Sequence, residues 1–222
     1  MTNTPRIGVI HTSPATVDLF GRLLRERVPG ASVINILDDS ILPELRDNGG
    51  DLAAVEPRWR DYARIVSARG VDVILNACSS IGTLCERVQP DIPQPIVRVD
   101  ALMAREAVAR GARIGVLATL ATTLAPTRDL IVDTALALGR TASVNAVLVE
   151  GAYQALLGGE QGRHDELVAA ALARSLGEND AVVLAQASMA RVLPRIAPEA
   201  RDKVLTSPPF AVEDVARWLL LV

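Results

Sequence analysis

Aromatic residues are scarce in this chain: Phe, Trp and Tyr together make up 3% of its 222 residues. So few rings argue against a base-stacking nucleic-acid surface and leave the core to Leu, Ile, Val and Ala, which suits helices packed closely on a sheet. Cysteine is as sparse. Cys78 and Cys85 are the only two, too few and too close for a disulfide framework, and they form neither a CxxC nor a Cys/His metal spacing. They read as reduced thiols of a cytoplasmic protein without a metal centre. No run approaches the roughly 18 to 20 apolar residues of a membrane span, and the opening MTNTPRIGVI has too short an apolar run for a signal peptide. The 23 Lys and Arg are scattered among 26 Asp and Glu, giving a net charge of −3, so the basic stripe of a nucleic-acid binder is missing. HExxH and GxSxG are absent, and Gly111, Gly115 and Gly158-Gly159 form no GxGxxG or P-loop pattern, which removes support for nucleotide binding. What remains is chemistry on a small molecule.

Half of the residues are hydrophobic, enough for one sizeable core or two of roughly 100 residues each. Apolar, β-rich runs alternate with helix-period segments, the pattern of βα repeats and a parallel sheet. Eight strands are expected, at Arg6 to His11, Ser32 to Ile36, Asp72 to Asn76, Pro95 to Val99, Arg113 to Ala118, Ser143 to Leu148, Ala181 to Ala185 and Lys203 to Thr206. The helix pattern covers Thr16 to Arg27, Trp59 to Arg69, Ser80 to Val88, Ala101 to Arg110, Thr122 to Leu138, Asp165 to Leu176, Ser188 to Ile196 and Pro209 to Leu220. Asp38 to Arg58, broken by Pro43, Asn48-Gly49-Gly50 and Pro57, reads as a mobile flap or an ordinary surface loop.

The second half repeats the first. Ile7-Gly8-Val9-Ile10 returns as Ile114-Gly115-Val116-Leu117, Thr12 matches Thr119, and alignment of Asp180 on Asp72 also pairs Ala185 with Ala77 and Ser188 with Ser80. The expected fold is therefore α/β: two pseudo-symmetric lobes, each with a four-stranded parallel sheet, facing a shared active-site cleft. One lobe comprises 1–99 with 208–222, and the other 100–207. The C-terminal run Trp218-Leu219-Leu220-Leu221-Val222 packs on the sheet or makes a subunit contact in a homo-oligomer.

Two turns carry the chemistry. In VDVILNACSSI, from Val71 to Ile81, Cys78 falls where an apolar strand meets a helix start. There, free N–H groups and the helix dipole favour a thiolate. Asn76, Ser79 and Ser80 add hydrogen-bonding groups, which makes a carboxylate pocket beside a thiol; the plain alternative is a small buried hydrophobe. Packing is also the reading for Cys85. In DAVVLAQASM, from Asp180 to Met189, the equivalent of Cys78 is Gln186, whose amide does not titrate. Thr119, Thr122 and Thr123 make a second anion site or simply cap a helix. Thr12 and Ser13 hold the matching turn of the first half, with Pro14 leading into a helix. His11 is a candidate second acid/base group. His164 is expected on the surface, with Asp165 as a helix N-cap, and Asp100 is expected to cap the helix from Ala101.

NACSS followed by Ile81-Gly82, the run Ile114 to Thr119 and LAQASMA from Leu184 to Ala190 resemble the aspartate/glutamate/hydantoin racemase superfamily over essentially the whole chain. The resemblance implies two α/β domains across a cleft, each usually supplying a cysteine, exchanging a proton at the carbon next to a carboxylate without any cofactor. Cys78 matches the first family cysteine, and Gln186 stands where the second is expected. A two-base racemase needs a proton donor on each face of the carbanion, so either another residue serves the second face or the reaction needs one acid/base group. Decarboxylation, tautomerisation and sugar-acid isomerisation fit the latter.

The reading is a cofactor-independent racemase or isomerase of a small carboxylate. Cys78 is its acid/base group, Gln186 a hydrogen-bond donor to a carboxylate or enediolate oxygen, and Asn76, Ser79, Ser80, Thr119, Thr122 and Ser188 hold the substrate. A single-cysteine decarboxylase and a non-catalytic carboxylate-binding protein are the alternatives.

Overall fold

The computed structural model describes residues 4–220. Each expected strand is present: β1 (Arg6–His11), β2 (Ser32–Leu37), β3 (Val73–Asn76), β4 (Ile96–Arg98), β5 (Arg113–Ala118), β6 (Ser143–Leu148), β7 (Ala181–Leu184) and β8 (Val204–Thr206). They form two all-parallel four-stranded sheets, ordered β2-β1-β3-β4 and β6-β5-β7-β8. The chain divides into two compact units, Met1–Asp100 with Pro208–Val222, and Ala101–Ser207.

In the first unit, the strands are apolar on both faces because helices cover both. Ile7, Val9, Val73 and Leu75 pack against Phe20 and Leu24 of α1 (Pro14–Arg27) and Val212 and Val215 of α10 (Ser207–Leu220). The alternate residues Ile10 and Ile74 pack against a second cluster. It is built from Ile41 and Leu45 of α2 (Ile41–Asp47), Trp59, Ala63 and Val66 of α3 (Glu56–Ser67), and Leu84 and Val88 of α4 (Leu84–Val88). The second unit contains α5 (Ala101–Arg110), α6 (Ala121–Ala137), α7 (Ala152–Leu157), α8 (Gln161–Glu178) and α9 (Pro198–Arg201). There Leu117, Val182 and Leu184 meet Val168 and Leu172 of α8. No helix among the described residues is long and apolar enough to cross a membrane.

The repeated residues do the same work in both units. A Cβ on Gly8 would overlap Val66 of α3, and one on Gly115 would overlap Ser175 of α8, so the glycine lets a helix lie close over the central strand. Asp72 accepts the Arg6 N–H at 2.7 Å, and Asp180 accepts that of Arg113 at 2.9 Å, tying β1 and β5 to the starts of β3 and β7.

Three expectations need correction. The stretch from Asp38 to Arg58 is neither flap nor plain loop: it forms α2 and a 3-10 turn (Leu52–Ala54), with Ile41, Leu45 and Val55 fully buried. Pro43 is tolerated because it sits in the first turn of α2, where N–H groups have no intrahelical acceptor. His164 is fully buried rather than on the surface. Asp165 lies one turn inside α8, which begins at Gln161. At the C-terminus, Leu219 packs against the core while Trp218 and Leu220 are exposed; Leu221 and Val222 lie outside the described residues.

Candidate active site

Strand order decides where polar side chains gather. The central pair of the first sheet, β1 and β3, runs in parallel with its connections leaving to opposite sides, so the turns beyond the two strand ends meet. Thr12 follows β1 and Cys78 follows β3. The Thr12 hydroxyl, the Ser80 hydroxyl and the backbone N–H groups of Ser80 and Ile81 all hydrogen-bond to the Cys78 sulfur. Asn76, at the end of β3, donates from Nδ2 to the Cys78 carbonyl at 3.0 Å, which holds the turn beneath the sulfur. Ser79 is buried in the same turn, and its carbonyl accepts the Gly82 N–H at 3.1 Å.

Local structure at Cys78 differs from the sequence expectation. No α-helix begins at Ser80; a three-residue 3-10 turn, Ser79–Ile81, comes first, and α4 starts only at Leu84. Two amides rather than a helix macrodipole therefore face the sulfur. Cys78 is 8% exposed, and burial pushes its thiol up despite the four hydrogen bonds that pull it down. Burial therefore works against the expected thiolate, and the surrounding donors work for it. Burial also raises Cys85, to about 12, in spite of the nearby Arg98 charge and the Asn76 side chain. Its place in the core fits the packing role.

His11 is fully buried. Its Nδ1 is 2.8 Å from Thr16 Oγ1 and its Nε2 3.0 Å from Asn35 Oδ1, and burial lowers its pKa, partly offset by the Asn35 contact. Both ring nitrogens are thus engaged in joining β1 to α1 and β2, and proton transfer would have to break one of these contacts. Ser13 is the N-cap residue of α1 and uses its carbonyl, not its hydroxyl, to accept from Thr16.

The second unit repeats the geometry at the ends of β5 and β7. Gln186 Oε1 accepts the Thr119 N–H at 2.6 Å and the Thr119 hydroxyl at 3.0 Å. With its oxygen occupied, the Gln186 amide presents its NH2 as a donor. Leu120, not a threonine, occupies the N-cap of α6. Thr122 and Thr123 lie inside its first turn, Thr123 buried and Thr122 half-buried. Ser188 is half-buried in the 3-10 segment Ala187–Arg195 that Gln186 caps.

Sequence reasoning missed two buried charge groups. Asp165 accepts from His164 Nδ1 at 2.9 Å and lies 3.1 Å from Arg191 Nε, fastening α8 to the segment after Gln186. Arg98 pairs with Asp100, Nε to Oδ1 at 2.7 Å, next to the Cys78 turn. The sequence signal, an isolated acidic residue near an arginine, is common to every surface. Among the described residues no three His, Cys, Asp or Glu side chains converge as metal ligands.

Comparison with known proteins agrees with this layout. A comparison with curated proteins finds no match. An allantoin racemase from Klebsiella pneumoniae is 21% identical with a TM-score of 0.71, covering 98% of this chain and 89% of the other. A glutamate racemase from Francisella tularensis, in complex with D-glutamate, is 16% identical with a TM-score of 0.75, covering 100% and 82%. A glycine-to-cysteine variant of arylmalonate decarboxylase is 18% identical with a TM-score of 0.63, covering 96% and 93%. These likenesses establish the two-sheet α/β fold. The Asp/Glu/hydantoin racemase family model matches residues 7–215, and the chain belongs to that family.

Proposed function

We propose that this protein transfers a proton at the carbon next to a carboxylate of a small acid, without a cofactor, and that Cys78 is the acid/base group. The observation that carries this is the set of donors around Cys78 Sγ: the Thr12 and Ser80 hydroxyls and the Ser80 and Ile81 amides. They stabilise the Cys78 thiolate, which takes the proton from the substrate carbon and leaves the electron pair there as an enediolate; the thiol so formed returns a proton to that carbon. In this reading the Gln186 NH2, oriented by Thr119, donates to a carboxylate or enediolate oxygen, a contact of the kind worth about 3 kcal/mol in a transition state.

One observation favours a second reading. Gln186 holds no titratable proton, and Thr119 occupies its oxygen. A reaction that needs one proton donor therefore suits the chain. In decarboxylation the C–C bond to the leaving carboxylate breaks, CO2 departs, the electron pair stays on carbon as an enediolate, and the Cys78 S–H supplies the proton.

The test is deuterium incorporation from D2O into a panel of small chiral carboxylates, with native protein and Cys78→Ala in parallel. Incorporation that disappears in the variant supports the assignment; inversion identifies a racemase, retention one-face chemistry, and CO2 release the decarboxylase. Incorporation that survives in Cys78→Ala overturns the role of Cys78. Tight binding without reaction across the panel replaces the enzyme by a carboxylate-binding protein.

A further inference from the structure

The Cys78 turn rests on a buried ion pair that the proton transfer itself does not use. Arg98 ends β4 and is 7% exposed; Asp100, two residues on, is fully buried. Glu86 of α4 also lies 3.7 Å from Arg98 but is itself exposed. Removing two charges from water costs several kcal/mol per ion, and an apolar pair of similar volume often packs as well. Stability alone is therefore a weak reason for the pair.

Its surroundings supply a better one. The Gly82 backbone runs directly against the guanidinium, and a Cβ at Gly82 would overlap Arg98 Nε, Cζ and Nη2. Gly82 donates to the Ser79 carbonyl at 3.1 Å and accepts from the Cys85 N–H at 3.1 Å. Whatever places Gly82 thus places the 3-10 turn whose amides at Ser80 and Ile81 face the Cys78 sulfur. On the other side of the turn, Val99, between the two charged residues, donates to the Asn76 carbonyl at 3.1 Å. Asn76 in turn holds the Cys78 carbonyl. The guanidinium thus abuts one end of the turn, and the backbone between the two charged residues holds the other.

We propose that the Arg98–Asp100 pair is the positioning device for Cys78: Asp100 holds the guanidinium against Gly82, which keeps the Ser80 and Ile81 amides on Sγ and keeps the sulfur out of water. Its meaning for turnover rests on the reading of Cys78 as the reacting group, but its test reads the thiol directly. The rate of alkylation of Cys78 by iodoacetamide is measured from pH 6 to pH 10 on the full chain, with peptide mass mapping to separate Cys78 from Cys85. Native protein is compared with Arg98→Met and Gly82→Ala.

Loosening the turn takes the Ser80 and Ile81 amides off the sulfur but also admits water, and burial is the larger influence on this thiol, so the midpoint falls by about one pH unit and alkylation at pH 7.5 accelerates about tenfold. Gly82→Ala gives the same change with both charges present, because it displaces the guanidinium, and it decides the matter if Arg98→Met does not fold. A profile within about twofold of native in folded Gly82→Ala, even with a lowered Tm, confines the pair to stability and overturns the proposal. The accelerated profile without deuterium exchange on any substrate supports the positioning role and counts only against the functional reading.

Discussion

Thr119 stands to Gln186 as Thr12 stands to Cys78. Each threonine follows the central strand of its sheet, and each binds, across the strand pair, the polar side chain of the turn after the next strand in. The register explains the match: Ile7 pairs with Val73 and Ile114 with Ala181, and the Ala77 and Ala185 N–H groups donate to the Ile10 and Leu117 carbonyls, both at 2.9 Å. Two copies of one backbone therefore present a thiol in one unit and an amide in the other.

Thr12→Val removes a hydroxyl that favours the Cys78 thiolate. The thiol, already raised by burial, moves higher, and alkylation of Cys78 near pH 8 slows by roughly 10- to 100-fold, the worth of one hydrogen bond to a charged group. This direction is opposite to that expected for Gly82→Ala. The same iodoacetamide profile separates them.

Gln186→Glu keeps an oxygen for Thr119 but replaces the NH2 donor by a second carboxylate oxygen. The expected outcome is a fall in kcat of about 10²- to 10³-fold on whichever carboxylate proves to be the substrate, as for loss of one oxyanion donor. A KM that rises at constant kcat would instead assign the amide to ground-state binding.

Cys85 makes stability fall in alkaline solution. Its folded pKa of about 12 lies above the ordinary value of 9.0, so above pH 9 the unfolded chain releases this proton while the folded chain retains it. The stability contributed is fully present below pH 9 and is lost at about 1.4 kcal/mol per pH unit as pH rises toward 12. Denaturant unfolding of native protein and Cys85→Ala across this window should show the variant's slope shallower by about that amount.

Gly8→Ala and Gly115→Ala each place a methyl group where α3 or α8 crosses the central strand. Overpacking of this kind costs about 1–3 kcal/mol, read as a lower denaturant midpoint. Val66→Ala, which clears the space over Gly8, should restore part of the loss in a Gly8→Ala background. It should do nothing for Gly115→Ala.

Much of this molecule is legible in local pattern. Strands β1, β5 and β6 begin and end where alternating or unbroken apolar runs do, and the paired Ile-Gly-Val starts, the paired aspartates Asp72 and Asp180 and the paired threonines announce the duplication, because each performs a task set by its own strand and the next. Cys78 and Gln186 are identifiable as equivalents for the same reason. The sequence by itself thus determined the two parallel sheets, the repeat and the turns that carry chemistry. The tertiary structure decided the state of those turns. Burial of Cys78, which pushes its thiol up, depends on residues brought over it from other elements; so does the use of both His11 nitrogens by Thr16 and Asn35, and the seat of Arg98 against Gly82. In sequence His164 and Asp165 look like exposed polar residues, and only the approach of Arg191 from a distant segment makes them a buried cluster. Desolvation and hydrogen-bond partnership are properties of what surrounds a group in space, and no single stretch of chain contains them.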